Sequence, residues 1–332
     1  MAAKKSESHA SWAGQGCPYH EGYRRRRLGH VGVTKTETET ATYGLVTPSM
    51  VGLAMKEMVR RAIKAIRNQR FVFDAQHKES LDESRDDLVT TADHEAQEIY
   101  LRVIRRCFPN FGIIAEEDEL RVPCRIPDRK LYFTVDPLDG TKAFARRQSA
   151  GVGTMVSLVE EGRVLAAYVG DVMTQEIYGF RPEAAVHRIS EFEIPEVLSP
   201  CSRSIERSYV LLRQQPKKCS PAVANFIDRF RGVDVEGGSI GISYARLWKH
   251  EVEALLTGPY FATPWDSAPI IGISRKLGYR FLKLSYDGRL EELELTPPEK
   301  PVSHDFHLLV VNDETAEELL VESSVNGAVE AG

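Results

Sequence analysis

Apolar positions first fall into a sustained period after residue 46. Val51, Met55, Met58, Ala62 and Ile66 recur at helical spacing behind Thr47-Pro48, a cap followed by proline at the first helical position. The pattern predicts an amphipathic helix over 48–69. Phe71-Val72-Phe73 reads as a short strand, and the polar, acidic run 74–86 as loop. Ile99, Val103, Ile104 and Cys107 line one face of a second helix over 92–107, which Phe108-Pro109-Asn110 closes. Residues 111–115 read as a strand ending in Glu116-Glu117-Asp118-Glu119, and 131–135 as a short buried strand. Successive strands follow at 153–158, 164–169 and 176–180, with Glu160-Glu161-Gly162-Arg163 as a hairpin turn.

The pattern fades over 181–207, where a domain boundary is expected. Beyond it come a strand (209–212), two helices (221–230 and 240–249) and a strand (252–256). Trp265-Asp266-Ser267-Ala268-Pro269 opens the next helix, which closes near Gly278. Strands at 280–284 and 307–311 and a helix over 313–322 complete the series. Alternating strands and helices predict an α/β second half. The expected organisation is a disordered tail at 1–45, an α+β subdomain at 46–203 and an α/β subdomain at 204–325.

Bulk properties narrow the classes. The 332 residues are 42% apolar and 27% charged, the balance of a globular chain that can bury a large core. A net charge of −5 argues against nucleic acid as the main partner. No apolar run approaches the ~18 residues of a membrane span. The start, MAAKKSESHASWAGQG, lacks the apolar core of a secretory signal, and the five cysteines are odd in number and scattered. Cytoplasm is therefore the expected compartment. Arg24 to Arg27 reads as a solvated charge run, with an anionic surface as the alternative. Cys17 and the nearby histidines lack a second ligand pair at zinc spacing.

The chemistry concentrates in LYFTVDPLDGTKAFAR, residues 131–146. Asp136 and Asp139 flank a proline turn directly after the apolar strand. At ~4 Å two such charges repel by about 1 kcal/mol in water and about 4 kcal/mol at an effective dielectric of 20. A hard cation between them removes that penalty. Gly140-Thr141 can open a helix whose free N–H groups receive an anion such as phosphate. The alternative is an ordinary Asp-Pro/Asp-Gly turn.

Three further acidic places stand at junctions: Asp87 in DLVTTAD, Glu116 in AEEDE and Asp266 in WDSAP. If they converge with Asp136 and Asp139 they form an all-oxygen site without histidine or cysteine, which selects Mg²⁺ or Mn²⁺ over zinc. Each has a plainer alternative: Asp87 as a loop acid, the acids 116–119 as surface, Asp266 as a helix cap. Asp93, three residues after Thr90, reads as part of a capping box. As a cap, Asp266 would place Pro269 at the third helical position, with no N–H to offer.

DLVTTAD, AEED, DPLDGTKAF and WDSAP, in that order and spacing, resemble the inositol monophosphatase family of the lithium-sensitive, Mg²⁺-dependent phosphatases. The resemblance covers about 48–315. It implies a layered αβαβα sandwich with the active site between two subdomains. It implies Glu116, Asp136, the Leu138 carbonyl, Asp139 and Asp266 as metal ligands, for two or three Mg²⁺, with Asp87 holding the weakest through water. Thr141, with Glu116, would activate the attacking water, and the Gly140 and Thr141 N–H groups would hold phosphate. The implied enzyme is a phosphomonoesterase that hydrolyses a small phosphorylated metabolite, of inositol or sugar phosphate type, by direct attack of a metal-activated water. Li⁺ inhibition and a homodimer are implied as well.

Departures bear on the substrate. Pro259 stands where inositol-specific members carry an acidic residue six before the Trp, and Pro269-Ile270 replaces the small pair after WDSA. Phe180-Arg181-Pro182-Glu183 shortens a glycine-rich turn, and Leu277-Gly278-Tyr279 replaces a glycine pair. These point away from inositol phosphate itself. Lys142 resembles the 3′-phosphoadenosine-5′-phosphate and histidinol-phosphate branches. Arg146 and Arg147 suit a second anionic group, as in a sugar bisphosphate, or else an exposed solvated role. A reading of another class is a catalytically silent regulatory relative, which is expected to lose a ligand or Thr141.

Overall fold

The computed structural model describes residues 46–78, 87–190, 194–200 and 203–330, without the side chains of 77, 78, 87, 88 and 325–330. The expected tail at 1–45 lies outside the described residues. Helix α1 (Pro48–Gln69) starts where the cap places it, the Thr47 hydroxyl accepting from the Met50 N–H. Strands β1 (Ala75–Lys78) and β2 (Asp87–Thr90) pair antiparallel, and α2 (Thr91–Cys107) follows directly. Two expectations differ here. The run at 71–73 is a turn, in which the Val72 N–H bonds back to the Gln69 carbonyl, and β1 lies inside the stretch expected as loop. Strand β1 is polar (AQHK), so cross-strand backbone pairing rather than apolar content makes it a strand.

Strands β3 (Gly112–Ala115), β4 (Arg121–Val122) and β5 (Leu131–Asp139) lead to the short helix α3 (Thr141–Ala145). Then come β6 (Gly153–Glu160), β7 (Arg163–Asp171), β8 (Ile177–Phe180), β9 (His187–Ile189) and β10 (Pro195–Val197). They form one sheet in the order β10-β9-β8-β7-β6-β5-β3-β4, with β3 and β5 parallel and the other pairs antiparallel. The expected hairpin turn joins β6 to β7, with both Glu161 and Gly162 at positive φ, the form that follows strand twist. The weakly patterned stretch thus contains two short strands, β9 and, at the sheet edge, β10.

A second sheet, β12-β11-β13-β18-β15-β16, uses β11 (Tyr209–Leu212), β12 (Gly232–Val235), β13 (Ala254–Thr257), β15 (Tyr279–Leu284), β16 (Leu290–Glu292) and β18 (His307–Asn312). Strands β14 (Tyr260–Ala262) and β17 (Val302–His304) pair as a separate ribbon. Helices α4 (Pro221–Ile227), α5 (Ile240–Trp248), α6 (Pro264–Lys276) and α7 (Asp313–Glu330) complete the chain.

The stacking follows from which faces are apolar. Helices α1 and α2 cover one face of the first sheet, where Val156 and Leu158 meet Met55, Ala62 and Tyr100. The intervening residues of the same strands, Met155, Ala167 and Val169, point to the opposite face and meet α5 and α6. The second sheet takes the other side of α5 and α6 through Leu308 and Val310, and turns Leu309 and Val311 toward α4 and α7. Five layers result, α/β/α/β/α, as the resemblance implied. Sheets covered on both faces favour strands that are apolar at nearly every position, and β5 and β18 are buried throughout.

Candidate active site

Asp136 and Asp139 lie on β5, three residues apart. In a regular strand such residues face opposite sides. Here β5 advances three residues, from Asp136 to Asp139, while β6 advances two, from Met155 to Gly153. The Pro137-Leu138 bulge absorbs the extra residue and brings both carboxylates to one side. Asp266 arrives on the first turn of α6, which the buried Trp265 anchors against Ile114, Tyr132 and Val159. The helix cap is Thr263, whose hydroxyl accepts the Asp266 N–H at 3.2 Å. Asp266 is therefore the third helical residue and not the cap itself, and its carboxyl also bonds to the Thr263 side chain. Helix α6 begins one residue before the expected Trp265. One oxygen from each of Asp136, Asp139 and Asp266 lies within 4.8 Å of the others.

The electrostatics of this cluster are severe. Burial, then the charges of Glu116, Asp139 and Asp266, raises the Asp136 carboxyl well above the usual range. Burial and the charges of Asp139 and Glu116 push Asp266 up to about 7. Burial raises Asp139 too, against hydrogen bonds from Ser239, Gly241 and Ile240 that favour its anion. Asp136 Oδ1 is buried and has no partner among the described residues. A hard divalent cation fits this donor set: it would satisfy that oxygen and compensate the charges, and all three donors are carboxylates.

Each remaining candidate has a definite place. Glu116 directly follows β3, half-buried and outside the three-carboxylate cluster, yet its charge raises Asp93, Asp136 and Asp266. The Leu138 carbonyl lies 3.1 Å from the Thr141 hydroxyl. Gly140 caps α3 in the left-handed region at φ 91°, where a Cβ would stand 2.4 Å from the Gly151 carbonyl oxygen and 2.7 Å from the Ser239 nitrogen. Asp87 opens β2, and its side chain lies outside the described residues. Lys142 and Arg146 are exposed. Arg147 is exposed as well and places its guanidinium over the Phe71 ring, 5.8 Å from the centroid.

Three contributors were not assigned to the site from sequence. Asp93 completes the expected capping box, accepting from the Thr90 N–H at 2.8 Å through Oδ2. Its other oxygen accepts from the Thr141 hydroxyl at 3.0 Å, and burial pushes its carboxyl up to about 6. Ser239, with the Ile240 and Gly241 N–H groups at 3.0 and 2.7 Å, holds the Asp139 carboxylate at the start of α5. Arg213 fixes that start by donating to the Gly238 and Ser239 carbonyls and the Ser243 hydroxyl. The capping box was the one local signal. Arg213 and Ser239 have none, because they meet Asp139 only through the fold.

The sequence profile of the inositol monophosphatase family matches residues 51–326, a span that holds every acid of the cluster. The chain belongs to this family. Among similar proteins, Nus factor SuhB of Escherichia coli K12 is 31% identical over 101 residues, 30% of this chain and 36% of that protein. The 3′(2′),5′-bisphosphate nucleotidase 1 of Mus musculus is 29% identical over 130 residues, 32% of this chain and 41% of the other. The chain thus spans about a third to two fifths of the length of these curated relatives. Solved structures share the inositol monophosphatase fold over more of their length. The Thermotoga maritima IMPase superposes with a TM-score of 0.62 at 20% identity, over 85% of this chain and 99% of that one. An IMPase/NADP phosphatase complexed with Mg²⁺ and phosphate superposes with a TM-score of 0.63 at 17% identity, over 82% and 94%. No helix among the described residues is long and apolar enough to cross a membrane.

Proposed function

We propose that this chain is a Mg²⁺-dependent phosphomonoesterase acting on a small phosphorylated metabolite. The observation that carries the reading is the cluster of Asp136, Asp139 and Asp266, the first two buried, with one Asp136 oxygen left without a partner among the described residues. Those three carboxylates, with Glu116 and the Leu138 carbonyl, would hold the cations, and Asp87 a weaker one. A bound divalent cation there supplies charge compensation for a phosphate ester and acidifies water.

The chain's own groups then have separate tasks. Thr141 has one proton, and both Asp93 Oδ1 and the Leu138 oxygen stand within reach of it. With that proton directed away, its lone pairs are left to accept a hydrogen bond from the attacking water, and Glu116 offers a second acceptor. Asp93, held by Thr90, keeps the Thr141 rotor in place. The Gly140 and Thr141 N–H groups would orient the phosphate. Retention of all these residues speaks against a catalytically silent relative. Li⁺ inhibition and a homodimer belong to the same reading.

The test is phosphate release from a panel of myo-inositol 1-phosphate, fructose 1,6-bisphosphate, 3′-phosphoadenosine 5′-phosphate and histidinol phosphate, with and without Mg²⁺. Metal-dependent release from one member, abolished in Asp136→Asn, supports the reading. Protein that neither binds Mg²⁺ nor releases phosphate from any ester refutes it.

A further inference from the structure

A cavity of about 420 Å³ lies between the second half of α1 and the paired strands β8 and β9, and none of its lining residues belongs to the carboxylate cluster. The volume is that of a small-molecule site. Its floor is apolar: Ile63 of α1 meets Ile177 and Ile189, which face each other across β8 and β9, and all three are buried. Its rim is cationic. Lys64, Arg67 and Asn68 stand three and four residues apart on α1, so one helix face presents them together. Arg60 joins them from the turn before and has another interaction as well. Arg67 is already aimed, its Nη1 donating to the Val172 and Met173 carbonyls at 2.9 Å each in the connection from β7 to β8. Gln175 lines the cavity from that same connection. The Lys64 ammonium and the Asn68 and Gln175 amides have no hydrogen-bond partner among the described residues. No aspartate or glutamate lines the cavity among those residues. Asp171, at the start of the connection, spends its Oδ1 on the Met173 and Thr174 N–H groups at 2.7 and 3.1 Å.

We propose that this cavity is a second ligand site, which binds a compact organic phosphate with its doubly charged head on the rim and an apolar body over the three isoleucines. It is separate from the carboxylate cluster and stands whether or not the chain hydrolyses phosphate esters. Lys64 and Arg67 together balance a dianion, whereas a carboxylate would leave one of them uncompensated. A phosphoryl head also offers three terminal oxygens in three directions, which suits donors that arrive from a helix and from a strand connection, and a guanidinium grips two of them at once. An inorganic anion would satisfy the rim and leave the apolar floor in water. A neutral apolar molecule would cover the floor and part the two cations from water with nothing in exchange. Only a ligand with both parts answers both surfaces.

The experiment is calorimetric titration of the full chain at pH 8, freed of divalent cations so that the carboxylate cluster repels anions instead of gathering them. The probes are benzylphosphonate, which cannot be hydrolysed as an ester, methylphosphonate, which lacks the apolar body, and phenylacetate, which lacks the second charge. Benzylphosphonate is expected to bind at least tenfold more tightly than either of the others. Lys64→Glu and Asn68→Asp, both at exposed positions of α1, should each weaken it at least tenfold. Arg102→Glu, an equal change of charge on the exposed face of α2, should leave it within twofold. No heat from benzylphosphonate in the wild type overturns the proposal, as does binding that survives both cavity variants or falls equally in Arg102→Glu. Methylphosphonate or phenylacetate binding as tightly as benzylphosphonate overturns the ligand class. Phosphatase activity enters none of these outcomes, so a failure here leaves the phosphomonoesterase reading untouched.

Discussion

Replacing Asp266 by Asn removes one charge from the carboxylate cluster, and in the cation-free protein the effect has a definite sign. With ligand oxygens within 4.8 Å, each like-charged pair repels by about 3.5 kcal/mol at an effective dielectric of 20. The upward shift of Asp266 from 3.8 to about 7 corresponds to about 4 kcal/mol, the same order. A carboxyl raised in the folded state stabilises fully below its unfolded value, and that contribution is lost as pH rises through the folded one. Between pH 5.5 and 8 about 1.5 units of the shift remain to be lost, or about 2 kcal/mol. In urea denaturation with EDTA, Asp266→Asn is therefore expected to gain about 2 kcal/mol on the wild type between those two pH values. Saturating Mg²⁺ at pH 8 narrows that gap, since a cation at about 100 times its Kd adds about 2.7 kcal/mol to a protein that binds it. A gap that does not change with pH, or equal stabilisation of both proteins by Mg²⁺, would refute the cluster as described.

Other substitutions separate the roles. Thr141→Val is expected to lower kcat about 100-fold or more while the Mg²⁺-induced rise in Tm persists, because it removes a hydroxyl and no carboxylate. Asp93→Asn should lower kcat as well and also cost about 1 kcal/mol in urea denaturation, since it weakens the capping box of α2. Gly140→Ala forces a Cβ to within 2.4 Å of the Gly151 carbonyl at a positive φ, and should destabilise by about 2 kcal/mol or more in the same assay. Arg213→Lys cannot reach all three acceptors at the start of α5, and calorimetry should show Mg²⁺ affinity about tenfold weaker with the far-UV spectrum unchanged.

Much of the fold was legible because its sheets are buried on both faces. Continuous apolar runs such as 131–135 and 307–311 announce such strands without help from their neighbours. The elements that escaped notice are those whose stability is not apolar. Strand β1 is polar and exists by pairing with β2, while β12 alternates at a sheet edge and leaves Val233 and Val235 exposed. Within the site, the acids after strands and at the helix start were visible because each sits in a short local motif. Asp93 was visible only as a cap, since its second hydrogen bond goes to a residue 48 positions away. The departure at Pro259 also reads differently in three dimensions. Pro259 lies in the connection between β13 and β14, two residues after Thr257, which ends β13 with a buried hydroxyl that has no partner among the described residues.

The extra residue in β5 makes the central motif a matter of counting as much as of composition. Between Asp136 and Asp139 the chain holds two residues where a regular ladder has room for one. Exchanging Leu138 for another apolar residue keeps the count and its main-chain carbonyl. Deleting a single residue there would restore a regular ladder, yet it would pull Gly140 out of its slot beside Gly151 and Ser239. The segment should therefore accept changes of letter far more readily than changes of length, and in random mutagenesis its lethal positions should be dominated by insertions and deletions.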